Sequence, residues 1–261
     1  RQAGRSIMVG FHAMFSVGGA LGAGLGALAA IALTPFTHFV VAAALGLAAL
    51  ATRRGTLPGD ALPGDAGPAF AWPSGPLVPI ALIAFLGMMA EGAAADWSAV
   101  YLRETLAAGP GLAAIGYAVF AVGMTIGRLS GDALGDRLGE TRLVRASALL
   151  AAVSMAAGLA TQNAAGALVG FALAGLGLAA IVPICFRRAA AVPGIAAGHG
   201  LAAVATVGYS GFLIGPPAIG LVAEVSGLAL GLGLVAATLL VIPLLIPPPS
   251  PARTAQPRTE P

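Results

Sequence analysis

Long runs of Ala, Gly, Leu and Val, separated by short clusters of charge or proline, set the layout of this chain. From Ser6 to Thr52 there is no Asp, Glu or Arg. A helix crosses the bilayer core with about 20 mostly apolar residues. The run therefore predicts two spans, at about 7–30 and 35–52, turned at Thr34-Pro35 where proline interrupts the pattern. RRGTLPGDALPGDAGPAFAWPSGP, residues 53–76, is rich in Gly and Pro and reads as a linker. A third span follows at about 77–101 and a fourth at about 112–131. Ser147 to Phe186 is again uncharged, and Gln162-Asn163 divides it into spans five and six. Pro193-Gly194 precedes span seven, about 198–222. After a turn at 224–227, span eight runs to about 247, and a polar, proline-rich tail (248–261) reads as disordered. The expected fold is all-α: a polytopic membrane helix bundle of about eight transmembrane helices.

Composition agrees with a bilayer as solvent. Of 261 residues, 58% are hydrophobic and 9% charged, and mean hydropathy is +0.94. Soluble domains carry about 25% charged residues, so this chain lacks the groups for a water-facing surface. Its 13 basic residues are all Arg. In a soluble protein the net charge of +3 would point to nucleic acid; here topology explains it, and no nucleic-acid partner is expected. Eight spans put both ends on one side, and twelve of the 13 arginines fall there, with Arg103 alone opposite. By the positive-inside rule that side is cytoplasmic, which predicts a multi-pass protein of a bacterial inner membrane with both ends of this chain inside. The chain opens RQAGRS, without an initiator Met and with no secretory leader pattern, and reads as a fragment of something longer.

The most charged stretch is GRLSGDALGDRLGETR, residues 127–142, whose glycines recur at every fourth position from Gly127 to Gly139, with Gly123 one step earlier. A common phosphate loop needs Lys, and this chain has none. By the span map the stretch is mainly a cytoplasmic loop between spans four and five. Elsewhere, Gly18, Gly22 and Gly26 on span one and Gly211 and Gly215 on span seven form Gly-x-x-x-Gly seams for close helix packing. GYSG around Ser210 resembles a rhomboid protease motif, but no His follows it, and His199 lies about 16 Å away along the same helix. Three scattered His and the single Cys185 have no zinc spacing. No catalytic residue, metal or cofactor is expected.

Placed at a span end, the stretch resembles the loop motif of the major facilitator superfamily, Gly-x-Leu-x-Asp-Arg-x-Gly followed by bases. Leu134, Asp136, Arg137 and Gly139 match. Asp132 stands in place of the first Gly, and Glu140-Thr141 in place of the bases. GPPAIGLVAE (215–224) resembles a segment near the outer end of that family's eleventh helix. FHAMFSVGGALGAGLG (11–26) and EGAAADWSAVYL (91–102) look like the fifth and seventh helices of a fucose-permease-like bacterial branch. The resemblance implies a fold lacking its first four helices. Residues 1–52 would then be the last two helices of the N-terminal half, 53–76 the cytoplasmic central linker, and 77–247 the C-terminal six-helix half. It implies secondary active transport of an unknown small solute by alternating access, with protons as a further partner. The rivals are a non-transporting scaffold or inactive remnant and, behind these, an intramembrane hydrolase.

The resemblance also implies a cytoplasmic gate at Arg128, Asp132, Asp136, Arg137 and Gly139. Helical spacing makes Arg128–Asp132 an attractive pair and Asp132–Asp136 a repulsive one; solvation and topology are the plainer roles. Glu91 is the leading ionisable residue inside a span, about 18 Å along span three and just beyond the midplane. It binds a proton or a polar substrate group, or it holds its helix by a hydrogen bond. Asp96 sits nearer the outer interface as a pore-mouth or capping residue, with Trp97 as an interfacial anchor. His12, Tyr117 and Tyr209 (with Phe120) are further substrate candidates that packing would equally explain. Arg187 and Arg188 end span six and fix topology first.

Overall fold

The computed structural model describes residues 33–52 and 68–246, together with Gly18. The expected span at 7–30, apart from Gly18, lies outside the described residues, as do 53–67 and the tail from 247. His12, Gly22 and Gly26 fall there too. The described residues form α-helices and no strand. They are α1 (Pro35–Thr52), α2 (Leu77–Val100), α3 (Pro110–Leu138), α4 (Glu140–Ala160), α5 (Ala164–Leu178), α6 (Ile181–Ala190), α7 (Ala197–Ser226), α8 (Leu228–Leu239) and α9 (Ile242–Leu245). Six stretches are long and apolar enough to cross a membrane: 77–105, 111–138, 140–160, 164–190, 197–226 and 228–245. They correspond to expected spans three to eight. The shorter apolar α1 corresponds to span two, and from Phe36 to Thr52 its residues are exposed except for the half-buried His38.

Local chemistry accounts for the helix ends. Pro110 opens α3 in its first turn, where its missing N–H costs nothing. The Asn163 side chain accepts from the Gly166 N–H at 2.9 Å and caps α5. Gly227, at φ +83°, separates α7 from α8.

Three stretches depart from the expected spans. α2 runs on through a π-helical turn, Tyr101–Thr105. The sixth span is broken at Ala179-Ala180, because Pro183 cannot donate to the Ala179 carbonyl and its ring crowds it. The fourth span does not end near 131. Helix α3 continues to Leu138, and α4 begins at Glu140, so the expected loop shrinks to Gly139 alone. Gly139 has φ +78° and ψ 144°, a conformation open to glycine only, and its N–H donates back to the Gly135 carbonyl at 2.9 Å. Asp132, Asp136 and Arg137 are therefore helical residues.

Small residues hold the bundle together. In lipid, helices gain little from hydrophobic burial against one another, so close van der Waals contact carries the packing. The main pairings are α2 with α7, α3 with α5 and α4 with α5. A Cβ on Gly211 would come within 2.5 Å of the Phe85 carbonyl oxygen, and one on Gly215 within 2.8 Å of the Met89 side chain. Gly127 of α3 faces Ala179 and the Leu176 carbonyl as closely, and Gly158 and Gly170 let α4 and α5 touch backbone to backbone. A Cβ on Gly18 would meet nothing within 4 Å among the described residues. The starts of α2 and α7, the Gly139 junction, the end of α6 and α9 share one end of the bundle. There Gly200 meets Ala189 and Leu77, and Arg145 Nε donates to the Pro243 carbonyl at 3.2 Å. Arg103 lies at the far end, exposed and 3.6 Å from Glu104.

Candidate functional site

Among the described residues, two ionic constellations link helices of this bundle, one within its depth and one at its arginine-bearing end. The first joins α2 to α3. Arg128 Nη2 donates to Glu91 Oε1 at 3.3 Å, with Arg128 6% exposed and Glu91 21%. Glu91 is equidistant from the two ends of the 77–105 stretch, at the middle of that helix. Helical continuity of α3 brings Arg128 to the same level. Tyr117 lies on α3 close enough to feel both charges. Its ring stacks on the buried Phe120 at 6.2 Å between centroids. A charge held inside a span is costly unless paired, and this pair compensates itself.

The second constellation gathers around Glu140. Its two carboxylate oxygens accept from Arg187 Nε and Arg188 Nε, each at 2.8 Å. Arg188 Nη2 also donates to Thr141 Oγ1 at 2.8 Å, and Arg187 Nη1 to Asp132 Oδ1 at 3.4 Å. The Gly139 junction creates this arrangement. It ends α3 and starts α4 within one residue, so Asp132 and Glu140 meet the basic end of α6 together. Glu140 also sits in the first turn of α4, where the helix dipole favours an anion.

The sequence-derived candidates divide accordingly. Arg128 pairs with Glu91 on another helix, not with Asp132 one turn along its own. Asp132 pairs with Arg187 instead. Asp136 and Arg137 are exposed. Asp96 is exposed, and Tyr117 and Tyr209 are 44% and 59% exposed, with Tyr209 stacked on Phe212. The Trp97 ring packs beside Gly220, with Nε1 buried and without a hydrogen-bond partner among the described residues. The Ser210 hydroxyl donates to the Val207 carbonyl at 2.6 Å and His199 is exposed. Among the described residues no cluster of His, Cys, Asp and Glu could hold a metal ion. Sequence reasoning did not find Glu140 as the hub of an ion network. The available signal was an acid immediately after a helix-breaking glycine, at the same membrane side as the Arg187-Arg188 pair.

A helical bundle with six apolar spans, close glycine seams and an ion pair at mid-depth defines a multi-pass α-helical membrane protein. No protein-family model matches the chain. Curated relatives do. The chain is 38% identical over 243 residues, 93% of its length, to an uncharacterized MFS-type transporter of Yersinia pestis, of which it spans 63%. It is 35% identical over 250 residues, 94% of its length, to the uncharacterized transporter y4wD of Sinorhizobium fredii, of which it spans 66%. It is also 41% identical over 152 residues to the membrane protein MosC of Rhizobium meliloti, covering 58% of this chain and 37% of that protein. The similarity to an MFS-type transporter thus extends over nearly all of this chain, which spans just under two thirds of each of the two proteins named as transporters.

Proposed function

We propose that this chain forms helices five to twelve of a secondary active transporter, which moves a small solute across a bacterial inner membrane by alternating access, with proton coupling. The observation that carries the proposal is the Glu91–Arg128 pair at mid-depth of the bundle. A bundle that only had to rest in lipid gains nothing from two ionised groups that apolar side chains could replace. The relatives named transporters support the same reading. Eight spans, with both ends of the chain and the Glu140 network on the cytoplasmic side, follow from the distribution of arginines. The network around Asp132, Glu140, Arg187 and Arg188 is suited to a gate: its ion pairs tie α3, α4 and α6 together and can break and reform as the bundle rocks. Asp136, Arg137 and Gly139 shape its exposed rim.

The test is uptake by the intact protein in proteoliposomes, across a panel of neutral, anionic and cationic solutes, with and without an imposed proton gradient. Accumulation of at least one solute against its gradient when protons flow inward is the expected result. If no solute of any charge moves while the protein is folded and inserted, the non-transporting scaffold or inactive remnant becomes the better description.

A further inference from the structure

We propose that the outward face of α4 binds an anionic phospholipid, with the headgroup phosphate held by Arg142 and Arg145 and an acyl chain laid along the helix. The site needs only that the chain resides in a membrane; it does not depend on the transport reading. Burial along α4 follows the helical period. Leu143, Val144, Ala148 and Ala151 belong to the face turned into the bundle. The opposite face is exposed, and beyond the two arginines it holds only Ala, Leu and Val, with Leu149, Leu150 and Val153 at its centre and Ala160 at its end. From Arg142 to Ala160 the helix rises about 27 Å, close to the ~30 Å hydrocarbon core of a bilayer. Arginines stand at one end of this stripe only, and the uncharged Thr161 and Gln162 follow its other end. A phospholipid divides in the same way: a charged phosphate at one end, apolar chain for the rest. The single charged end selects one leaflet, the one bordering the arginine-bearing end of the bundle.

Both arginines are available to an anion. They are exposed and three residues apart, so they are neighbours on one face of the helix. Among the described residues neither pairs with a carboxylate. Glu140, the acid that opens α4, is bound by Arg187 and Arg188 at 2.8 Å each, and Asp132 of α3 by Arg187. Asp136 adjoins Arg137 in sequence, which leaves that arginine out of the site. Arg145 is also held in place. Its Nε donates to the Pro243 carbonyl at 3.2 Å, and its two Nη groups remain for the paired donation that suits a phosphate. The same bond sets α9 beside the headgroup position, where the exposed Val241 and Leu244 add a second apolar flank. A second copy of the chain is a poorer occupant. Copies inserted in one orientation and meeting about a two-fold axis would set arginine against arginine on this face, whereas a phosphate neutralises them.

Lipid titration of the intact protein in a neutral detergent, read as the thermal unfolding midpoint, tests the site. The probes are phosphatidylglycerol, phosphatidylcholine and soluble glycerophosphate. Phosphatidylglycerol should stabilise wild type at a lower concentration than phosphatidylcholine, and the difference should shrink as salt rises. Arg142→Gln should weaken the phosphatidylglycerol response about five-fold. Adding Arg145→Gln should abolish the preference and keep the response to phosphatidylcholine. Arg103→Gln, the same charge change at the far end, should keep the preference in full. Arg145→Gln also removes the bond to Pro243, so if the double variant does not fold, Arg142→Gln alone decides, since Arg142 forms no ion pair among the described residues. The proposal is overturned if the two lipids stabilise wild type equally or if Arg142→Gln keeps the full preference. Full stabilisation by glycerophosphate would show a phosphate site that needs no acyl chain, and also overturns it. Should Arg142→Gln change the oligomeric state and not the lipid preference, the face belongs to a second copy and the lipid site falls.

Discussion

At position 140 a carboxylate stands where the resembling loop motif has a base, and two arginines of α6 converge on it. The substitution is compensated: the charges that motif would carry beside the glycine are supplied here from across the bundle by Arg187 and Arg188. Glu140→Gln removes the charge from two bonds of 2.8 Å at partly exposed groups, so the expected loss is about 1–2 kcal/mol. In thermal unfolding of the solubilised protein this is a fall of several degrees. Glu140→Arg should be worse, since it places a third cation beside two. Asp136, which is exposed, should tolerate Asn with an unchanged unfolding temperature. If it also lines the gate, Asp136→Asn slows uptake without affecting insertion. Equal uptake rates for wild type and this variant would remove Asp136 from the gate and leave Glu140 and Asp132 as its charged members.

Glycine seams and one glycine hinge govern the elements. Gly211→Val should destabilise the α2–α7 contact by about 1–3 kcal/mol or more, because its Cβ begins 2.5 Å from the Phe85 carbonyl, a backbone atom that cannot rotate away. Gly233→Ala is the control: nothing lies within 4 Å, and a helical alanine should be neutral or slightly stabilising. Gly139→Ala separates space from conformation. There is room for its methyl group, yet φ +78° with ψ 144° should cost about 1–3 kcal/mol and loosen the junction that delivers Glu140. Unfolding midpoints of the three variants in one detergent check the order. Equal midpoints for Gly211→Val and Gly233→Ala would contradict the close approach of α2 and α7.

For the whole molecule, orientation is the property most exposed to test. The topology proposed from arginine placement has the Gly139 end in the cytoplasm. Cys185 is fully buried and should remain unlabelled by a membrane-impermeant thiol reagent, and Cys185→Ser removes the native thiol altogether. On that background, a cysteine at Glu104 should label in intact cells, and one at the exposed Ala191 only after permeabilisation. The reverse pattern would invert the topology and place the Glu140 network outside.

Sequence alone determined that the chain is helical and meant for lipid, where most spans lie, and on which end the arginines collect. Those properties follow from the length and charge of apolar runs, which are local and additive along the chain. It also marked Glu91 and Arg128 as chemistry worth asking about, but as separate residues. Tertiary structure decided the partners. Helical spacing suggested Arg128 with Asp132, because only neighbours on one helix are visible in a linear pattern. Packing chose Glu91 for Arg128 and Arg187 for Asp132, because glycine seams set how closely the helices approach and therefore which side chains share a level. The single residue between α3 and α4 was likewise invisible to hydropathy: charges at 132, 136 and 137 looked like a loop, yet at the end of a span they remain helical while reaching water. Which residues are ionic was written locally, and which ions meet was fixed only when the helices packed.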